Sequence, residues 1–521
     1  MQKETVRSLH YFCDHSVSFG IQPHVRYEIN SAKALAAVLI FQASAAVSAQ
    51  TLTPDPLRYS VSTPRPISPA EGTTTPSARA TQSQNPYLGS VPTPTTGGTI
   101  ELSLAAAIQR GLRYNLGLVE SNQASADVRA SRLRALSALL PQIEATGKQG
   151  YDDISLKEIG IRLPPASGLT LPATTGAFGY QDARVSVTEP LLNLSLHAQY
   201  QAQKSSEQAA ILNIKDAHDV VVLAVGTAYL QVVAAAAKVE SAKAQLTSAQ
   251  ELDRQTAHQV QSEVSPEIDS LRAQVERRSA EQRLTNAANQ LQKDRLALAR
   301  ITGLAVDQKF VLTSSLAYHP LTGVTNDSAT VEALRSRADL ASAEAIVRAA
   351  QSALRAQTAQ RLPVISVSAD YGAGGANLGN MSQVYSLSGN VTVPIYTGGR
   401  IRADIEQARA DLARKQAEYE DLKGRIAYDV QVAWLDAAAS DSSVKVAEQN
   451  QALAKRALAQ SQDRYTNGVT NYLEVVQAQE AVVAAADNYI DSLYSLNVSM
   501  ISLARAMGDA ESRVQQFLGG K

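Results

Sequence analysis

The chain has 521 residues, and its 48 Lys and Arg against 49 Asp and Glu leave a net charge of −1. That balance excludes the broad basic surface that nucleic acid or an anionic membrane face would need. The single cysteine, Cys13, excludes a disulfide framework and a cysteine-type metal site. Only six Phe and one Trp occur in a chain that is 45% hydrophobic, so alanine supplies much of the apolar content. This is the composition of long helices in thin layers rather than of a compact globe.

The amino terminus reads as a targeting segment, 1–49. Lys33 precedes an apolar run from Ala34 to Phe41, and small residues follow to Val47-Ser48-Ala49. A basic flank, a short apolar core and a small-x-small site form an export signal, too short to span a bilayer. The residues before Ser31 are long for such a flank, as a later translational start would explain. Cys13 lies ahead of the apolar run, so it is not a lipid-attachment cysteine. Residues 50–98 hold nine of the 19 prolines among many Thr and Ser. They are expected to be an extended, disordered linker.

A first structural unit is expected at 99–304. Its opening helix ends near Leu140-Pro141, and a strand pair follows at about Ile143–Tyr151 and Gln181–Thr188. The intervening loop carries Pro164, Pro165 and Pro172. A long helix then runs from about Leu196 to Ser262. The break Glu263-Val264-Ser265-Pro266 turns the chain into a returning helix ending near Ile301. Residues 305–328 read as a connection.

The second unit, 329–509, repeats this order. Ile365, Val367, Ala369 and Tyr371 alternate with Ser366, Ser368 and Asp370. A second alternating run covers Tyr385 to Val393. Period two with one apolar and one polar face predicts strands. The glycines and asparagines of Gly372 to Asn380 predict the loop between them. From Gly399 to Tyr465 there is no proline, and Ile401, Ile405, Ala408, Leu412, Tyr419, Leu422 and Ile426 form a heptad stripe. Such a helix rises about 100 Å. Asn467-Gly468-Val469-Thr470 turns it back into a helix ending near Met507. Residues 510–521 read as a tail.

The two units are copies of one repeat. Leu298-Ala299-Arg300 returns as Leu503-Ala504-Arg505, Gly303 as Gly508, Val264-Ser265 as Val469-Thr470 and Ala273-Gln274 as Ala478-Gln479, all 205 positions on. Upstream, Leu112-Arg113 returns as Leu334-Arg335 and Leu140-Pro141 as Leu362-Pro363, 222 positions on. The fold class is therefore mainly α with a β-barrel portion: two tandem repeats, each a β-hairpin plus long antiparallel helices. Four strands cannot close a barrel, and they leave exposed edges. In an exported chain, two-faced strands point to an outer-membrane barrel of at least eight strands, completed by two, three or four copies.

The order of helix, Leu-Pro, strand pair, Pro, long helix, Gly-Val tip and returning helix, twice over, resembles the TolC-like outer-membrane efflux channels. Three stretches carry the likeness: Arg464-Tyr465-Thr466-Asn467-Gly468-Val469-Thr470-Asn471-Tyr472-Leu473-Glu474-Val475-Val476-Gln477-Ala478-Gln479, Pro394-Ile395-Tyr396-Thr397-Gly398-Gly399-Arg400, and Arg337-Ala338-Asp339-Leu340, where Ala338 stands in place of a proline. The resemblance implies a homotrimer with a twelve-stranded outer-membrane barrel and a twelve-helix periplasmic tunnel. It implies a periplasmic membrane-fusion adaptor and an inner-membrane pump as partners, with outer-membrane lipid around the barrel. The chain would be the passive exit duct of a tripartite efflux or type I secretion system.

The same resemblance assigns residues. Glu474 and its first-copy counterpart Asp269 would line the closed periplasmic aperture. A ring of like charges at a constriction favours cations and raises the pKa of its members. A second expected acid is Gln477 here. Tyr465 matches a tyrosine that bonds across helices to hold the entrance shut, but the arginine partner is replaced by Thr470. The tip turns Val264, Ser265, Pro266 and Gly468, Val469, Thr470 would contact the adaptor. Glu263, standing where the second copy has Gly468, predicts a different turn. Tyr151, Tyr180, Tyr371 and Tyr385 are placed in membrane-belt positions.

Enzymatic chemistry is not expected. His197, His218, His258 and His319 lack metal-ligand spacing, and the run Gly372 to Gly379 lacks the ending of a phosphate loop. No cofactor is implied, and no nucleic-acid partner. The alternative is a periplasmic coiled-coil tether or adaptor, which would carry one helical hairpin between split lipoyl-like β halves.

Overall fold

The structure, a computed structural model, describes residues 85–95, 97–156, 172–263, 265–321 and 323–517. The export segment, residues 50–84 of the linker, and Val264 lie outside the described residues. In chain order the elements are β1 (Ile100–Leu102), α1 (Leu104–Tyr114), α2 (Leu116–Ser137), β2 (Gln142–Asp152), β3 (Phe178–Leu192), α3 (Leu194–Gln261) and α4 (Glu267–Thr302). There follow β4 (Phe310–Leu312), α5 (Asn326–Ser336), α6 (Ala338–Ala359), β5 (Val364–Gly375), β6 (Ser382–Thr392), α7 (Arg400–Thr466), α8 (Tyr472–Met507) and α9 (Ala510–Phe517).

Four strands form one antiparallel sheet in the order β2-β3-β5-β6. The pairing of β3 with β5 joins the two repeats. Alternation sorts the faces. Ile143, Val185, Val187, Ala369, Tyr371, Tyr385 and Leu387 share one face. The opposite face carries Glu144, Lys148, Asp182, Arg184, Ser368, Asp370, Ser386 and Ser388. On the polar face Arg184 pairs with Asp182 at 2.6 Å and reaches Asp370 at 3.5 Å, and the Ser386 hydroxyl donates to Asp370 at 2.6 Å.

β5 runs on through Gly375, where the glycines had predicted a loop. A Cβ on Gly372 would fall 2.1 Å from the Ala183 carbonyl oxygen. Glycine there allows β3 to approach closely, which is its other use in a strand. The belt tyrosines divide. Tyr151, Tyr371 and Tyr385 lie exposed on the apolar face, with Tyr371 directly opposite Tyr385. Tyr180 lies on the polar face, over Gly150, its pairing partner. The membrane-belt expectation for Tyr180 is therefore corrected: the register sets it one residue out of phase with Tyr151.

Below the sheet the helices form a wall. α3 packs on α2, α4, α6 and α8, and α7 packs on α6 and α8. The columns therefore run α2 with α4, then α3, then α6 with α8, then α7. Breaks at Asn115 and Arg337, both extended, divide α1 from α2 and α5 from α6 at the same place in each repeat. α3 is long and apolar enough to cross a membrane by length and composition. Its apolar stretch is core: Val221, Val222, Val225 and Tyr229 are fully buried against Ile108, Leu298 and Ile501. The predicted α7 stripe is buried or half-buried throughout, from Ile401 to Ile426.

Three expectations for the middle of the wall are revised. The linker was expected to stay disordered through residue 98, yet residues 85–95, 97 and 98 are described, and much of this stretch docks on helix ends. The amides of Val91 and Thr93 donate to the carbonyls of Tyr114 (2.8 Å) and Gly303 (2.9 Å), which helix termini leave unpaired. Asn115 Nδ2 donates to the Tyr87 carbonyl at 2.7 Å. The connection contains β4, which pairs in parallel with β1. The tail contains α9: Asp219 of α3 accepts from the Ala510 amide at 2.9 Å, Val514 is buried, and Arg513 reaches Glu332 at 3.1 Å.

Candidate functional site

The lower ends of the two helical hairpins gather most of the singled-out residues. The second tip closes α7 with a left-handed residue, Gly468, at φ 69°. The Val469 amide donates to the Arg464 carbonyl at 2.9 Å, and the Gly468 amide to the Tyr465 carbonyl at 3.0 Å. This paired closure is the Schellman arrangement, which favours glycine. Asn471 then caps α8 by accepting from the Glu474 amide. The first tip was expected to differ because Glu263 replaces the glycine. Glu263 takes the same left-handed conformation, φ 54°, which costs a non-glycine residue about 1 kcal/mol; the turn still differs, because the Ser265 amide donates to the Gln259 carbonyl at 3.3 Å and no side chain caps α4. Ser265 and Pro266 lead directly into α4.

Glu474 is half-exposed and held within its own hairpin. The Thr470 hydroxyl donates to Oε2, and the Ser461 hydroxyl to Oε1 at 3.3 Å. Arg464 stands 3.7 Å away. The Thr470 bond, helped by Arg464 and Ser461, holds this carboxyl below the usual range against the opposing effect of desolvation. Thr470 thus occupies the expected arginine's place and bonds the acid instead. Gln477 is exposed one turn further along α8. Asp269 is not equivalent to Glu474. It is buried, 6% exposed, beneath the first tip, with Arg272 at 3.4 Å.

Tyr465 crosses between hairpins. Its hydroxyl donates to Gln259 Oε1 of α3 at 2.8 Å and sits 3.3 Å from Ser265 Oγ. Its ring meets Tyr472 edge-on, centroids 5.5 Å apart. Tyr472 is fully buried in a cluster with Leu252 of α3, Ala273 of α4 and Val475 of α8. Burial pushes its phenol up, with the Tyr465 hydroxyl and the carboxylates of Glu276, Asp253 and Asp269 adding to it. Gln259 and Tyr472 had no separate mark in the sequence, although Tyr472 stands inside the tip motif. Also unmarked was an exposed apolar row beside the first tip, Ile268, Leu271 and Val275 of α4. Its three- and four-residue spacing was there to be read. Among the described residues no group of three His, Cys, Asp or Glu is placed to hold a metal.

Residues 108–304 and 329–509 match the profile of the outer membrane efflux protein family, one segment in each repeat. The chain belongs to the outer membrane efflux protein family. Among similar sequences, outer membrane protein OprJ of Pseudomonas aeruginosa is 29% identical over 188 residues, 34% of this chain and 38% of OprJ. The pyoverdine export outer membrane protein OpmQ of Pseudomonas putida is 25% identical over 298 residues, 54% of this chain and 61% of OpmQ. These matches span less than two thirds of the relatives' length. The fold agrees over a longer stretch. VceC of Vibrio cholerae superposes with a TM-score of 0.66 at 19% identity, covering 78% of this chain and 96% of VceC. The MtrE channel of Neisseria gonorrhoeae gives 0.66 at 18% identity, over 81% and 95%. This efflux-family member therefore carries its tips where both repeats converge, at the end opposite the sheet.

Proposed function

We propose that the chain is the outer-membrane exit duct of a tripartite efflux or type I secretion system, working as a homotrimer. The observation that carries this reading is the wall's pair of unlike open edges. One edge consists of α2, β2 and α4; the other consists of β6 and α7. On α7, Tyr428, Val432, Leu435, Val446 and Leu453 form an exposed apolar stripe at heptad spacing, and on α4 Ile268, Leu271 and Val275 form another. An apolar stripe on a helix seeks a partner, and an unpaired strand seeks another strand. Unlike edges meet head to tail, and such a contact makes a ring when its rotation closes.

Three copies give a barrel of twelve strands, an even number, with polar residues inside and the apolar face toward lipid. The strands of 11 to 15 residues meet the length a tilted membrane strand needs. The helical columns would continue the barrel as a periplasmic tunnel of twelve helices. The adaptor alternative lacks support from the strand pair that precedes each long helix. Fractionation tests the duct: heat-modifiable trimers in the outer membrane that conduct in planar bilayers are expected, and a soluble periplasmic monomer would overturn it.

At the tunnel's lower end, Glu474 and Gln477 would line the aperture, with Tyr465 bracing it. Gly468, Val469, Thr470 and the first-tip residues Val264, Ser265 and Pro266 would meet the periplasmic adaptor, which links the duct to its inner-membrane pump. Val469 is largely exposed at the turn, and a turn at the end of a long hairpin is the first surface a partner meets. Gly468→Trp should block crosslinking to the adaptor while trimers persist; unchanged crosslinking would discard the tip as the contact.

A further inference from the structure

The face of α8 that meets the first repeat carries two buried polar atoms without partners: the Tyr472 hydroxyl and Gln479 Oε1. The residues are 0% and 4% exposed, and they stand seven positions apart, on one side of the helix. About 10 Å of helix separates them, so they cannot pair with each other. Gln479 borders a cavity of about 270 Å³ between α3, α7 and α8, whereas Tyr472 is enclosed by Leu252, Ala273 and Val475. A buried hydroxyl without a partner forfeits its bonds to water for as long as it stays buried.

We propose that Tyr472 is a sprung peg between the two helical hairpins. Its ring holds the tips together, and its unpartnered hydroxyl makes their separation easier. The ring belongs to hairpin two, and Leu252 of α3 and Ala273 of α4 supply the hairpin-one side of its pocket. When the hairpins part, the ring loses its apolar surroundings and the hydroxyl regains water, so the two halves of one side chain pull in opposite directions. Tyr465 works beside it: its bond to Gln259 opposes parting, and its ring covers the Tyr472 edge. The raised phenol keeps its proton through the physiological range, so the peg acts as a neutral group. That separation opens a passage rests on the duct reading; the peg itself does not.

The test uses full-length protein with Cys13→Ser and Val475→Cys, because Val475 lies in the same buried cluster and reports parting by its labelling with a maleimide. Adding Tyr472→Phe keeps the ring and removes the hydroxyl, so labelling should slow roughly tenfold. Tyr472→Ala should speed it. Labelling of the Phe variant at the parent rate or faster would overturn the proposal. If Val475→Cys itself prevents folding, labelling of Ala273→Cys across the same contact reads the same motion, with the same two outcomes. Bilayer recordings of the Tyr472→Phe protein, without added cysteines, then separate the readings. A lower open fraction than wild type supports both. Absence of conductance in the wild type, with slowed labelling, removes the duct and leaves the peg.

Discussion

Glu474 receives hydroxyls from Thr470 and Ser461 with Arg464 close by, so its charge is already partly answered before any ring forms. Glu474→Ala should lower cation selectivity in bilayer recordings, and unchanged selectivity would remove it from the aperture. The same bonds set the direction of its titration. With a lowered folded pKa, the contribution of Glu474 to tip closure is complete above the ordinary carboxylate value of about 4.3 and is lost as pH falls through the lowered one. Ring repulsion would push the other way. Conductance measured against pH should therefore show no Glu474-dependent opening above about pH 4.3; a midpoint above that, abolished in Glu474→Gln, would show that repulsion wins. The motif around Gly468 made this residue legible, because caps and turns are local. Gln259 was not legible: it meets Tyr465 across 206 positions, and no local pattern records that meeting. Tyr180 was misread for a related reason, since its face depends on register with β2.

At the scale of elements, period and heptad carried well wherever an element was long. The ends of α3, α7 and α8 fall within a few residues of the sequence reading, while β1 and β4, three residues each, are too short for alternation to be seen. α9 was hidden because it is held by packing on α8 and α3 and by the Arg513–Glu332 pair with α5. Nearby, Arg505 of α8 bonds Asp216 of α3 at 2.7 Å. Burial raises the Asp216 pKa, and Arg505 opposes the rise. Arg505→Ala should destabilise the fold by about 2 kcal/mol by removing the charged hydrogen bond to that half-buried carboxylate. A raised folded pKa gives stability that is present at low pH and lost as pH climbs through it. The variant should therefore lose more, relative to wild type, at pH 8 than at pH 5, as thermal unfolding at both values would show. The docked stretch that begins at Asn85 divides the linker by role. Deleting 50–84 should leave export and assembly intact, whereas deletion through 98 should lower the unfolding temperature, because the helix-end carbonyls of Tyr114 and Gly303 lose their donors.

Within residues 85–517 the wall has one margin of α2, β2 and α4 and another of β6 and α7. That four strands are too few was legible from counting; which helices stand at the margins was not, since it follows from α3 lying inside the wall and α7 outside it. Leu435→Asp places a charge in the exposed α7 stripe, away from the chain's own core. It should abolish heat-modifiable trimers while leaving helix content by circular dichroism unchanged; persistent trimers would take α7 out of the interface. The unlike margins also have a genetic consequence. In the proposed ring, a subunit spoiled on one margin would still offer a sound one, and would enter the growing ring and stop it. Such alleles should be dominant over a wild-type copy. Two alleles spoiled on opposite margins should fail to rescue each other, since any circuit containing both types keeps at least one broken joint.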